Sequence, residues 1–500
     1  MSSFASHLKD PSLVVGKAYI NGEWVSSALH KHFEVRNPST DQVIGSLPES
    51  TPEDLAYATR AADAAFLLWR TQSGRQRGRL LRNLADLITE NKDDISKVIT
   101  MENGKSRADA EAEVISAAGY FEWYSEEAPR LYGDIVPHSQ PGARIQILKQ
   151  PIGVCGLITP WNYPLAMAAR KLAPALASGC TAILKSDGNA PYSANTLAVL
   201  AERAGIPKGV LNILTALDNT PELGLALCES DIIKKVSFTG STRVGKLLAK
   251  QSASTLKKLS LELGGNAPFI IFEDADLDIA ISSAIVAKFK VSGQTCVCAN
   301  RIYVHESLYE EFARRLVEEV SKFKVGDASS DPSVTHGPLT ISPDKVEQHI
   351  QDALSKNATL LCGGKRLSSL GGKNFFEPTV LGDVDETMII TQEETFGPVA
   401  PLLKFKTEDE VVKRANSIDV GLGSYIMTND LNRAHRVQER LEFGMVAINT
   451  GAIADWAAPF GGIKHSGMGC EGSKYGVDDY MVLKAVITGG INTAYTRHDD

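Results

Sequence analysis

The 500-residue sequence lacks any apolar run of the roughly 20 residues that a bilayer-spanning helix needs. It has no C-x-x-C pair and no clustered histidines, so no zinc site or other metal site is expected. Its seven cysteines, at 155, 180, 228, 296, 298, 362 and 470, are odd in number and sparse, which fits reduced thiols rather than a disulfide framework. No fixed-period repeat and no low-complexity block is present. A net charge of −8 and a pI near 5.8 argue against nucleic acid as the main partner. Residues 1–16 contain Lys9 and Asp10, lack a compact apolar core and hold no arginine, so neither a secretory signal nor a mitochondrial presequence is expected. The expected location is cytoplasmic, without a membrane partner.

What is present describes a large globular chain. At 43% hydrophobic and 22% charged residues it can bury sizeable cores, and its length calls for more than one domain. A hairpin is expected at 18–25, where Asn21-Gly22 separates two short apolar runs. Helical periodicity follows over about 52–126. From about 144 to 304, strand-like runs at 154–158, 181–184, 211–214, 236–238 and 269–272 alternate with helical stretches at 166–176, 193–204, 243–250 and 277–288. Such alternation implies βαβ units and a parallel sheet, hence an α/β fold. The second half repeats the alternation less regularly, as another α/β domain would. An apolar strand-like run at about 475–491 is of the kind that pairs with another subunit.

Two runs carry the chemistry. Ser292-Gly293-Gln294-Thr295-Cys296-Val297-Cys298 places a thiol among small and polar residues that core packing does not require. Glu262, 34 residues upstream in Leu261-Glu262-Leu263-Gly264-Gly265, is a carboxylate in an apolar setting, where its pKa can rise far enough for it to act as a base. Thr159-Pro160-Trp161-Asn162-Tyr163-Pro164 offers the Asn162 amide, a neutral donor suited to an oxyanion, although asparagine beside proline is also common in turns. Phe238-Thr239-Gly240-Ser241-Thr242-Arg243-Val244-Gly245 follows a strand and opens a helix. It reads either as a phosphate cradle or as a glycine turn with a serine helix cap. Lys185 ends a strand, where it can reach a ribose or phosphate or simply be solvated.

Six motifs in order resemble the NAD(P)-dependent aldehyde dehydrogenase superfamily over nearly the whole chain. They are Pro160-Trp161-Asn162, Phe238-Thr239-Gly240-Ser241, Leu261-Glu262-Leu263-Gly264-Gly265, Gly293-Gln294-Thr295-Cys296, Glu394-Thr395-Phe396-Gly397-Pro398 and Pro459-Phe460-Gly461-Gly462-Ile463-Lys464. The resemblance implies a Rossmann-like cofactor domain (1–130 and 150–261), an α/β catalytic domain (262–455), and a strand-rich arm (131–149 and 475–494) that joins subunits into homodimers or homotetramers. It implies that Cys296 attacks an aldehyde, that the Asn162 amide and the Cys296 N–H hold the oxyanion, and that Glu262 activates the water that releases the acid. NAD or NADP would lie along Ile158, Thr159, Pro160, Trp161, Lys185, Gly188, Gly240, Ser241, Gly245 and Leu263, with Glu394 and Phe396 positioning the nicotinamide ribose and ring.

Within the superfamily, 293–301 and 471–476 look most like the succinate-semialdehyde dehydrogenase branch of 4-aminobutyrate degradation. That branch holds a substrate carboxylate with two arginines and a serine. Arg170 matches the first arginine, Lys290 stands for the second, and Ala452-Ile453-Ala454-Asp455-Trp456 offers no serine. Lysine keeps the charge but loses the bidentate fork, and Asp455 would repel a carboxylate. An uncharged or bulkier aldehyde is therefore the alternative substrate, and a non-catalytic binding protein is the alternative of another class. Gly188 stands where the family usually has a glutamate on the adenosine ribose, so tolerance of NADP is expected, with Asp187 a partial substitute. Cys470 stands in place of an arginine. Cys298 is either a redox partner for Cys296 or a residue packed beneath the loop.

Overall fold

The computed structural model describes residues 4–341 and 343–491. Its first sheet is built on five parallel strands, Val154–Ile158, Thr181–Ser186, Leu211–Thr215, Ile233–Thr239 and Lys258–Glu262. The first three are buried along their whole length, because helices cover both faces of a parallel sheet and leave no polar face to alternate with. Across the sheet these strands run third, second, first, fourth, fifth in chain order. Successive connections therefore reverse direction between Val154–Ile158 and Ile233–Thr239, and a crevice opens beyond the carboxyl ends of that pair. The expected hairpin, Ala18–Ile20 with Glu23–Val25, closes one edge antiparallel, and Gly467–Met468 closes the other.

The helical stretch at 52–126 resolves into Pro52–Trp69, Gly74–Glu90, Lys92–Asn103 and Arg107–Glu127. Thr51 with Asp54 and Ser73 with Gln76 form reciprocal capping boxes that satisfy the first free N–H groups of two of these helices. A second, seven-stranded sheet takes in Ala267–Ile271, Ala299–His305, Val399–Phe405, Gly423–Met427 and Met445–Ile448, all parallel, with an antiparallel strand only at one edge. Among the described residues, no helix is long and apolar enough to cross a membrane.

The tail departs from a single strand-like run. Residues Ser473–Gly476 and Val477–Tyr480 are helical turns, and the strand is Met481–Thr488. The three-residue spacing of Val477 and Tyr480 puts both on the buried face of a 3₁₀ turn, while the intervening Asp479 accepts from Ser260 Oγ at 2.7 Å. Met481–Thr488 pairs antiparallel along eight positions of Arg144–Pro151 in its own chain, and Asp134–Pro137 completes a three-stranded sheet. Positions 492–494 of the expected arm lie outside the described residues.

One buried ion pair couples the helical layer to the crevice. Lys105 Nζ donates to Glu113 Oε2 at 2.5 Å and to the Asn162 carbonyl at 2.7 Å, with both charged side chains fully buried. Glu113 Oε1 accepts from the N–H groups of Leu165 and Ala166, so a carboxylate sits at the positive end of Pro164–Ser178. Removing one partner strands a buried charge. Lys105→Met should therefore cost about 3–5 kcal/mol, read as a lowered denaturation midpoint. Lys105→Met with Glu113→Gln should recover most of the loss.

Candidate active site

A cavity of about 520 Å³ lies between the two sheets and collects most of the expected residues. The loop after Val154–Ile158 contributes Pro160, Trp161 and Asn162 to its wall, and the loop after Ile233–Thr239 contributes Thr239, Gly240 and Ser241. Leu263, Cys296, Glu394 and Phe396 line it, as do Arg170, Lys290, Asp455 and Trp456. Ile158, Thr159, Lys185, Gly188, Gly245 and Glu262 are not on this wall. Gly245 instead underlies Leu263, whose side chain would lie 2.3 Å from a Cβ at 245.

The Cys296 loop is held under strain. After Leu277–Phe289 the chain passes through three left-handed residues, Val291 at φ 53°, Ser292 at φ 52° and Gly293 at φ 73°. A β-branched valine there is costly and persists only where surrounding bonds enforce it. Those bonds are Val291 N–H to Asp109 Oδ2 (3.1 Å), Ser292 Oγ to the Gly337 carbonyl (2.9 Å) and Thr340 N–H to Gln294 Oε1 (2.9 Å). Cys298 sits buried beneath the loop, its thiol donating to the Gly293 carbonyl at 3.2 Å.

Cys296 is half-buried at the cavity wall. Burial pushes its thiol up to about 12, Glu394 adds to the rise, and Arg170 opposes it. Asn162 Nδ2 donates to the Gln294 carbonyl at 3.0 Å, which leaves its second N–H free. The Cys296 backbone N–H donates to no protein acceptor among the described residues. These two donors are available to a negative oxygen formed beside the sulfur.

Glu262 ends Lys258–Glu262, is buried, and has no hydrogen-bond partner on either carboxylate oxygen. Burial holds its pKa well above the usual carboxylate range. Glu471 raises it further, while Lys171 and Arg170 pull the other way. Lys171 Nζ donates to Glu471 Oε1 at 2.5 Å, and Ser237 Oγ donates to the same oxygen at 3.1 Å. Sequence reasoning missed this trio. Its one legible sign is Lys171 itself, a second cation in the otherwise apolar run of Pro164–Ser178.

The crevice fits a dinucleotide. Thr239 Oγ1 is buried at the switch point without a partner, and Lys185, whose side chain is largely buried, has no hydrogen-bond or ion-pair partner among the described residues. Ser241 caps Thr242–Ser252, accepting from the Val244 N–H at 3.4 Å, so the cap reading of that residue is realised at a helix end facing the cavity. Glu394 Oε1 accepts from the Gly265 N–H at 3.3 Å, and burial raises its carboxyl to about 7. Phe396, held at φ 55°, stands edge-on to Trp161 with ring centroids 5.5 Å apart.

At the far end, the Arg170 guanidinium lies over the Phe460 ring at 4.1 Å and donates through Nε to Tyr120 Oη at 2.8 Å. Its terminal nitrogens make no hydrogen bond among the described residues. Lys290 is exposed to the cavity and has no ion pair there. Asp455 is exposed, and its Oδ1 accepts from the Ala457 N–H at 2.8 Å.

The chain belongs to the aldehyde dehydrogenase family, whose model matches residues 24–486. It is 49% identical over 486 residues to a succinate-semialdehyde dehydrogenase [NADP(+)] of Saccharomyces cerevisiae, covering 97% of each chain. It is 49% identical over 479 residues to a glutarate-semialdehyde dehydrogenase of Pseudomonas putida, covering 95% of this chain and 98% of that one. The crystal structure of succinate-semialdehyde dehydrogenase from Burkholderia pseudomallei superposes with a TM-score of 0.95 at 48% identity, covering 96% of this chain and 99% of that one.

With its thiol raised to about 12, Cys296 is protonated at neutral pH in the free protein. Iodoacetamide labelling of Cys296, followed by peptide mass spectrometry, should therefore accelerate about tenfold per pH unit from pH 7 to 10. A plateau below pH 9 would contradict this assignment.

Proposed function

We propose that the protein oxidises an acid-terminated aliphatic aldehyde, succinate semialdehyde, to the dicarboxylate with NADP or NAD. The observation that carries this reading is the pair of unengaged cations, Lys290 and the terminal nitrogens of Arg170, on the same cavity wall as Cys296. A carboxylate is the partner that satisfies both. The succinate-semialdehyde and glutarate-semialdehyde relatives support the same substrate class.

In this mechanism the Cys296 thiol gives up its proton to water as Sγ adds to the aldehyde carbon, and the resulting oxyanion takes hydrogen bonds from Asn162 Nδ2 and the Cys296 N–H. The nicotinamide dinucleotide, when bound, supplies the hydride acceptor. Lys185, Trp161 and Ser241 would hold its adenosine ribose and pyrophosphate, and Glu394 and Phe396 its nicotinamide ribose and ring. Loss of hydride leaves a thioester on Cys296. Glu262 then removes a proton from water, which attacks the thioester and releases the acid. The raised pKa of Glu262 gives it the basicity that step needs.

Tolerance of NADP rests on Gly188. A Cβ there would stand 2.8 Å from the Ala216 carbonyl oxygen and 2.8 Å from Leu217 Cβ, so a glutamate does not fit this turn. Asp187 Oδ1 is occupied by the Asn189 N–H and Nδ2. Asp187, with Oδ2 unengaged, remains the partial substitute for that glutamate against a 2′-phosphate. The first sheet with 1–130 and 150–261 is assigned to the cofactor, and 262–455 to catalysis. The three-stranded sheet, with Ile135, Leu483 and Ile487 exposed, is assigned to a homodimer or homotetramer contact. The free cysteines support a cytoplasmic location.

Charge-assisted hydrogen bonds are worth about 1.5–3 kcal/mol. Lys290→Met should therefore raise KM for succinate semialdehyde about 10–100-fold, with kcat and the kinetics of hexanal little changed. An unchanged KM would favour the second reading, an uncharged and bulkier aldehyde packed against Trp456 and kept from anions by Asp455.

A further inference from the structure

The segment that closes the cavity opposite the cofactor crevice follows Met445–Ile448 and contributes Gly451, Ile453, Asp455 and Trp456 to the wall. Trp456 is fixed there from several directions. Its indole N–H donates to the Ser116 carbonyl at 3.0 Å, and its own carbonyl accepts from the Ser473 N–H at 2.6 Å. The Nε1–Cε2–Cζ2 edge of the indole sinks into a notch in Arg107–Glu127 left by Gly119. A Cβ at 119 would lie 2.1 Å from Trp456 Cε2 and 2.4 Å from Cζ2. No side chain at 119 is compatible with the indole in this place. A glycine inside a 21-residue helix is unfavourable by itself, so the notch is a local concession to the tryptophan.

The next residue along the helix, Tyr120, carries the hydroxyl that fixes Arg170 Nε at 2.8 Å. One helical turn therefore sets both the indole wall and the orientation of a guanidinium on the same cavity. We propose that Trp456 and Gly119 together are the specificity-determining pair for substrate length: seated in its notch, the indole fixes how much spacer fits between the aldehyde at Cys296 and the acid end held by Lys290 and Arg170. The ligand class is the ω-carboxylated aliphatic aldehyde, whose methylenes lie along the apolar indole face. This rests on the acid-terminated substrate class proposed above and adds the residues that choose among its members.

The experiment measures kcat/KM for the four-, five- and six-carbon ω-carboxylated aldehydes, with hexanal as the uncharged control. Gly119→Ala expels the indole from the notch into the cavity and should lower the six-carbon to four-carbon ratio about tenfold. Trp456→Ala removes the wall and should raise that ratio by a similar factor. Each ratio is internal to one variant, so a reduced folded fraction cancels, and Trp456→Ala alone decides the matter if Gly119→Ala does not fold. Ratios within twofold of the unsubstituted protein overturn the proposal. Turnover of hexanal with none of the acid-terminated aldehydes overturns the substrate class instead, an outcome the same panel distinguishes.

Discussion

The site depends on a four-residue crossing. Residues 263–266 carry the chain from the last parallel strand of the first sheet to the first strand of the second, and they pass close to the Cys296 loop and to Glu394. A Cβ at Gly265 would stand 2.5 Å from the Cys296 carbonyl oxygen, closer than any side chain tolerates. A Cβ at Gly264 would come within 3.0 Å of Glu394 Oε2. The crossing is pinned in turn by Leu263 N–H to the Ser466 carbonyl (2.9 Å) and Ser466 Oγ to the Gly264 carbonyl (2.8 Å). Glu262, Cys296 and Glu394, distant in sequence, are brought together by this close backbone approach.

Desolvation then sets the chemistry. The same burial that raises the Cys296 thiol raises the Glu262 carboxyl, so neither group carries charge cheaply in the free protein. Lys171 and Glu471 neutralise each other nearby and leave Glu262 without a hydrogen-bonded partner. The Lys105–Glu113 pair works on the opposite side, holding the carbonyl of Asn162 while its amide faces the cavity. A protonated thiol is protected from adventitious oxidation and alkylation, and a carboxyl held above its usual range by burial is a stronger base than a solvated one. The far end of the cavity has the reverse character, with Lys290 and the terminal nitrogens of Arg170 on its wall without hydrogen-bond partners among the described residues.

Local features were legible in the sequence. The 18–25 hairpin, the 154–158 strand and the alternation through 304 follow from turn chemistry and apolar periodicity, and the structure has them at or within a few residues of the expected bounds. Cys296, Asn162, Glu394 and Phe396 were visible as motifs and meet at one cavity. Pairings of residues far apart in the chain were not legible. Lys171 with Glu471, Lys105 with Asn162, and Trp456 with Gly119 each join elements whose meeting is a product of the whole fold. Between 475 and 480 the structure departs from the expected strand because a buried 3₁₀ turn and a strand both present apolar residues at short intervals, and the turn is fixed by distant partners, Asp479 Oδ2 accepting from Ser260 Oγ and the Cys470 N–H. The placement of Glu262 off the cavity wall was equally hidden, since neighbouring Leu263 and Gly264 do line it.

Covalent oxidation at Cys296 with release by Glu262 is the chemistry proposed for this cavity. Glu262→Gln keeps the shape of the side chain and removes its basicity. Pre-steady-state mixing of that variant with succinate semialdehyde and NADP should give a burst of one reduced cofactor per site. Slow turnover should follow, with an acyl adduct on Cys296 detectable by mass spectrometry. Undiminished steady turnover, or slow turnover with neither burst nor adduct, would contradict the account.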